Sequence, residues 1–493
     1  MNKIVDFFAK HPAIAIVLAF QFIRLLLLPF MGLMPQDAYY HFYGEHLSLS
    51  YFDHPGMIAY ILRIFTSIFG KTVFVVKFAD FVITSLTLWS FYGLAQKFLS
   101  KTRATIALLL LSSTLFITIL SFNSTPDVPL ILFWTVSLNY LYQAIFENKK
   151  AAWIYAGIAM GLAFDSKYTG LVLQIGLLLF LVFSHEKRKL FTSPWLYASL
   201  LISALVTFPV WYWNYQNDFA SFLFQSSNRT GDISKFKLDP GYFFGAIGHQ
   251  IFLLLPILLG SFFILIFKYL KKALTKLKLP NSKILFLHAF FIPTFLGFFL
   301  LTPIYWVKLN WMMPSYITGI ILASIFLKRK HIKWHLIAAS IFHVLIAIEL
   351  LFYIAPVKSD DTWVGWKELT IATEKLQEKY PDTFIFSADS YKTAACMTFF
   401  TKQKIYSENI LGEHALHFDY IGDNLNLLKG KNALFIDSDT RIKSLDPQEK
   451  PHRELNSYFE NTTQLAPIIV KNGDKVIRKF WVYYCEGYLP NKD

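Results

Sequence analysis

The stretch Leu33–Met57, LMPQDAYYHFYGEHLSLSYFDHPGM, is polar and acidic, yet it lies between two strongly apolar segments. It carries two carboxylates, Asp37 and Asp53, the pair His54-Pro55, and the aromatics Tyr39, Tyr40, Phe42, Tyr43, Tyr51 and Phe52. Rings of this kind collect at a membrane–water interface. Acids concentrated among them read as an active-site loop. The competing reading is a structured interfacial loop with the aromatic belt that any membrane protein carries.

Outward from this loop the composition fixes the class. The 493 residues are 55% hydrophobic, 18% aromatic and only 16% charged, with a mean hydropathy of +0.42, which is the balance of a polytopic α-helical membrane protein. Apolar stretches of about 20 residues, enough to cross a bilayer, recur near 12–31, 73–96, 104–121, 128–146, 151–165, 168–184, 195–213, 243–268, 284–303, 311–327 and 334–354. That predicts about eleven transmembrane helices. The region 151–184 is divided because Asp165-Ser166-Lys167 interrupts it. The first stretch follows Lys3 and Lys10 without a small-residue cleavage site and is expected to stay as a span.

The formal net charge of +14 does not point to nucleic acid, because the basic residues sit in short clusters between apolar runs. Counted over alternate loops, one set holds 20 Lys and Arg and the other 7. Basic residues are retained on the cytoplasmic side, so the N-terminus is expected inside and the chain after about residue 355 outside. The basic loops hold little besides Lys, Arg and Ser. The opposite loops hold Asp37, Asp53 and His54; Asn123 and Asp127; Asp165 and Lys167; Asn214, Gln225 and Arg229; and Lys308, Asn310 and Trp311. A charge at the edge of a span is costly unless paired or functional, so the chemistry is expected on the outer face.

The expected division is a transmembrane domain over 1–355, with its first outer loop at 32–72, and a soluble α/β domain over 356–493. In the latter, TFIFSAD and NALFIDSD read as buried strands, YKTAACMTFFTK as a helix, and IIVKNGDKVIRKFWVYY as a hairpin turned at Asn472-Gly473. Cys396 and Cys485 make neither a zinc site nor a framework of disulfides, although one bond between them is open. No internal repeat, P-loop or dinucleotide fingerprint occurs. A nucleotide-linked donor is therefore not supported.

Six segments in order, QDAYYHFYGEHL, YFDHPGMIAY, TPDVPLILFW, GLAFDSKYTG, WNYQNDFASFLFQSSNR and KLNWMMPSY, cover most of positions 36–316. Together they resemble the bacterial GT-C glycosyltransferases, the family of the protein O-mannosyltransferases and the lipid A aminoarabinose transferase, which use polyprenyl-phosphate sugars. The chain departs from the family at Asp37-Ala38, where many members have Asp-Glu, and at His54, where the lipid A branch has Lys. The resemblance implies transfer of a sugar, with inversion, from a polyprenyl-phosphate donor to a hydroxyl of an envelope acceptor: lipid A, lipopolysaccharide, another glycan or a protein. It implies a multi-pass protein of the bacterial inner membrane, with its site and C-terminal domain on the periplasmic face among membrane lipids.

Such a transfer needs a base for the acceptor hydroxyl and cations for the departing phosphate. By position, Asp37 is the candidate base and Asp53 a supporting catalytic carboxylate. His54, Lys167 and Arg229 are candidate phosphate ligands, with Lys308 a further cation. Tyr51, Trp211, Asn214, Asn310 and Trp311 are candidates for lining the sugar or prenyl groove. Asp127 also belongs to the substrate site, although Thr125-Pro126-Asp127 equally starts a helix. No cofactor is required. Asp37, Asp53 and Asp127 are nonetheless oxygen ligands of the type that hold Mg or Mn. The alternative function, a transporter or lipid flippase, usually comes with repeats and polar residues near the bilayer midplane, whereas here the ionisable residues gather at one face.

Overall fold

The computed structural model describes residues 11–228, 238–276, 279–355, 357, 359–440 and 455–490. Its contacts divide the chain into two compact units, one of Met1–Leu28, His54–Ile58 and Lys77–Ile348, the other of Pro29–Asp53, Ala59–Val76 and Glu349–Asp493.

The first unit is helical. Among the described residues, six helices are long and apolar enough to span a bilayer: Pro12–Phe30, Val73–Phe98, Asp127–Phe146, Pro240–Thr275, Ser282–Leu301 and Arg329–Phe352. Two bent pairs raise the number to eight, Lys101–Ser112 with Leu115–Phe122 at 56° and Pro194–Val206 with Phe208–Gln216 at 44°. The other three of the eleven expected segments are also helical but short. They are Lys150–Ser166, Tyr168–Phe183 and Met313–Phe326, so length and composition alone do not reach eleven.

Local chemistry explains the breaks and the close packing. At the first bend the carbonyl of Ser112 is released from the helix ladder, and the buried guanidinium of Arg24 donates to it at 2.5 Å and to the Thr118 hydroxyl at 2.9 and 3.1 Å. A polar backbone group freed inside an apolar unit needs such a partner. Leu255, at φ 64° just before Pro256, breaks the long helix that begins at Pro240. Gly157 and Gly161 let the Lys150–Ser166 helix approach Pro194–Val206, since a Cβ on them would lie 2.5 Å from Ser199 O and from Val206 Cβ respectively.

The second unit joins the acidic loop to the C-terminal α/β domain. Its sheet has the order β2-β1-β3-β6-β4, with β5 also on β6. These strands are β1 Phe384–Ser387, β2 Ile405–Tyr406, β3 Ala433–Asp439, β4 Phe459–Gln464, β5 Ile468–Asn472 and β6 Lys475–Tyr488. Pairing of β1 with β2 and β3 is parallel, and β6 runs antiparallel to β3, β4 and β5. Phe386, Phe435, Phe459, Trp481 and Tyr488 form its core. The helix expected in YKTAACMTFFTK is Lys392–Phe400. The hairpin turns one residue later than expected, because Asn472 still pairs with Lys475 and Gly473, at φ 59°, supplies the left-handed turn. Cys396 and Cys485 are both buried and are not joined in a disulfide.

Candidate active site

In the second unit the acidic loop opens with the helix Pro35–Glu45, where Pro35 occupies the first turn and Asp37 the third position. Asp37 is fully buried, and its Oδ2 accepts the Met34 backbone N–H at 2.7 Å. It thus caps the helix that carries the tyrosines. Tyr39 and Tyr43, one turn apart, both send their hydroxyls to Asp53, the former at 3.4 Å and the latter in a short bond. Because Tyr39 Oη accepts the His417 backbone N–H at 3.2 Å, its own proton is directed at the carboxylate. Burial and the nearby Asp53 charge push the Tyr39 phenol well above its usual range, so it acts as a donor.

The rings fix these hydroxyls. Tyr39 stacks on Tyr391 at 4.2 Å, and Tyr43 stacks on Tyr51 at 4.2 Å with the rings 8° apart. The imidazole of His417 lies 4.6 Å from Tyr43 and 4.7 Å from Tyr51. Burial lowers its pKa to about 3, so it is neutral at ordinary pH, and among the described residues its Nδ1 has no hydrogen-bond partner. Tyr51 is wholly buried between these rings. A side chain expected to line a groove is instead part of the loop's core, because its hydroxyl is spent on Tyr43 O at 2.9 Å. The turn Leu416–Tyr420 therefore belongs to this site. The only signal for it in the sequence is a ring-rich HALHFDY without periodicity.

In the first unit Asp127 starts the Asp127–Phe146 helix and is 1% exposed. Both of its oxygens lie 2.9 Å from the Lys167 ammonium, and Asn310 Nδ2 donates to Oδ2 at 2.5 Å. Three residues from separate sequence segments thus form one buried cluster. Lys167 does not reach toward an interface; it is an internal counter-ion. Beside the cluster, Lys77 Nζ donates to Phe122 O at 2.5 Å and the Ser124 hydroxyl to Asp80 at 2.6 Å. Lys77 and Asp80 are both fully buried and were not anticipated. Their signal was two opposite charges three residues apart inside an apolar run.

Asn214 is buried and spent locally on Val210 O and Phe222 N–H, whereas Trp211 is 51% exposed, with its ring 4.9 Å from Phe222. Trp311 packs on Phe298 and Tyr305. His54 is half-buried and Lys308 exposed. Arg229 lies outside the described residues. Among the described residues no three His, Cys, Asp or Glu side chains gather as a metal ion needs. Asp127 is committed to Lys167 and Asn310.

Residues 53–213 match the sequence profile of the family described as dolichyl-phosphate-mannose-protein mannosyltransferase. A lipid A galacturonosyltransferase, RgtD, of Rhizobium johnstonii is 24% identical over 221 residues, which are 43% of this chain and 45% of that relative. The chain thus spans less than half the length of this curated relative. Among solved structures, ArnT from Cupriavidus metallidurans bound to undecaprenyl phosphate shares the fold at a TM-score of 0.62 and 12% identity, over 96% of this chain and 98% of that one. The oligosaccharyltransferase AglB of Archaeoglobus fulgidus, in complex with an inhibitory peptide and a dolichol phosphate, gives 0.52 at 12% identity, over 87% and 70%.

Proposed function

We propose that the chain is a GT-C glycosyltransferase that transfers a sugar from a polyprenyl-phosphate donor to a hydroxyl of an envelope lipid, glycan or protein. The observation that carries this reading is that one family segment, 53–213, holds Asp53, Asp127 and Lys167 within a fold shared along nearly its whole length with an undecaprenyl-phosphate-binding protein. Transport has no observation in its favour.

In the reaction proposed, the acceptor oxygen forms a bond to the anomeric carbon while the bond from that carbon to the phosphate oxygen breaks. The acceptor proton passes to Asp37, and the polyprenyl phosphate leaves with its electron pair. Asp53, supplied with phenolic donors by Tyr39 and Tyr43, orients the acceptor. His54, Arg229 and Lys308 attend the phosphate. Lys167 holds Asp127 and Asn310 in place rather than contacting the donor. No step is routed through a metal.

The proposed location is the inner membrane of a bacterium, with the acidic loop and residues 356–493 on the periplasmic side and the partition into domains at 355/356. Parity supports the larger span count. Pro29–Asp53 and Glu349–Asp493 pack in one unit, so an even number of crossings must separate them. The long helices and bent pairs after residue 72 give seven; counting the three short helices gives ten. Cysteines at exposed Asn426 and Thr192 test this. An impermeant reagent should label 426 and not 192 in intact cells, and the reverse pattern would overturn the orientation. The activity itself is tested by mass spectrometry of envelope lipids and glycans with and without the gene, which should reveal a missing sugar; identical profiles would overturn the assignment.

A further inference from the structure

A groove of about 990 Å³ runs along the first unit, walled by the helices Pro12–Leu27, Lys101–Ser112 and Arg329–Phe352. Its walls are apolar, with Ile16, Leu109 and Ile341 among them, and its mouth carries Arg329, Lys330 and Lys333. All three cations lie in the first turns of a helix that has no acidic residue there. A helix N-terminus is itself electropositive, so this arrangement is repulsive unless an anion completes it.

Some charges of the other basic loops are compensated. Lys97 and Lys149 share Glu147 at 3.5 and 2.7 Å, and Lys187 donates to Ile145 O at 3.1 Å. Among the described residues none of Arg329, Lys330 and Lys333 forms an ion pair. No carboxylate among the described residues lines the groove either. An apolar trough with three cations at its mouth has the chemistry of a phospholipid site. We propose that this groove binds an anionic glycerophospholipid, its phosphate at Arg329, Lys330 and Lys333 and an acyl chain along Ile16, Leu109 and Ile341.

The occupant is a structural lipid and not the sugar donor. Asn310, which holds Asp127, precedes the helix Met313–Phe326, and Arg329 follows that helix. Its 14 residues put about 21 Å of helix between them at 1.5 Å per residue.

The test is native mass spectrometry of the full chain in nanodiscs containing phosphatidylglycerol, phosphatidylcholine or both. The wild type should retain phosphatidylglycerol in preference to phosphatidylcholine. Arg329→Ala/Lys330→Ala/Lys333→Ala should lose roughly 5-fold in retention per cation removed, as expected for basic side chains at an anionic lipid surface. Lys271→Glu/Lys272→Glu, exposed on another helix, should retain it like the wild type. Equal retention of the two lipids by the wild type, unchanged retention by the triple variant, or displacement of phosphatidylglycerol by equimolar polyprenyl phosphate would each overturn the proposal. Should the triple variant not fold, the competition between lipids on the wild type decides alone.

Discussion

Asp127 and Asp53 are both acids of the matched family segment, yet their surroundings differ in kind. Asp127 sits against an ammonium on both oxygens with an amide added, whereas Asp53 receives the phenols of Tyr39 and Tyr43. An ion pair in a dry interior is rigid and self-neutralising, and its role is to hold segments in register. The phenols of Tyr39 and Tyr43 are neutral donors, which hold a carboxylate without cancelling its charge. In the proposed reaction this contrast gives Asp127 an organising role and the acidic loop the chemistry.

The most severe way to break the contrast is Lys167→Met. It strands Asp127 in the interior and should cost about 3–5 kcal/mol of stability, the usual effect of removing one partner of a buried pair. Asp127→Asn/Lys167→Met should recover most of that, read as the thermal midpoint in detergent. A stable Lys167→Met protein that fails only with donor would make Lys167 a ligand. Next comes Asp37→Asn, whose side-chain oxygen can still accept the Met34 N–H but cannot take a proton. Transfer at saturating donor and acceptor should fall by about 10²-fold or more, and a near wild-type rate would remove Asp37 as the base. Tyr43→Phe deletes one of the two phenols on Asp53. A hydrogen bond to a charged acceptor is worth about 1.5–3 kcal/mol, so a loss on the order of 10-fold is expected in kcat, with donor KM unmoved.

The mildest test concerns pH and the C-terminal domain. Burial raises the Glu408 carboxyl from 4.5 to about 7. With the folded value above the unfolded one, its contribution to stability is fully present below pH 4.5 and is lost as pH rises through about 7. Glu408→Gln should therefore gain thermal stability over the wild type at pH 8 and not at pH 4. The difference should stay under about 1 kcal/mol because the group is partly solvated. An equal difference at both pH values would refute the assignment.

Much of this was legible in the sequence because it rests on periodicity and charge. All eleven apolar segments are helices, and Asp127, Lys167 and Asn310 were singled out from the bias between loops. What was not legible depends on contacts between distant segments. Arg24 looked like an ordinary interior charge of the first span, and only the break at Ser112 explains it. Tyr51 read as a groove wall because nothing local says that Tyr43 and His417 cover its faces. Lys77 and Asp80 hid inside a span whose apolar average swamped them.

The bond from His417 N–H to Tyr39 Oη closes a loop of 378 residues. At roughly 5–20 residues per second of synthesis, the tyrosine helix emerges about 20–75 seconds before its partner exists. Throughout that interval its rings lack the surface that fixes them, so the acidic loop matures last although it is made nearly first. A chain released early, before residue 417, would carry every acid of the proposed mechanism and still lack the turn that aims Tyr39 at Asp53.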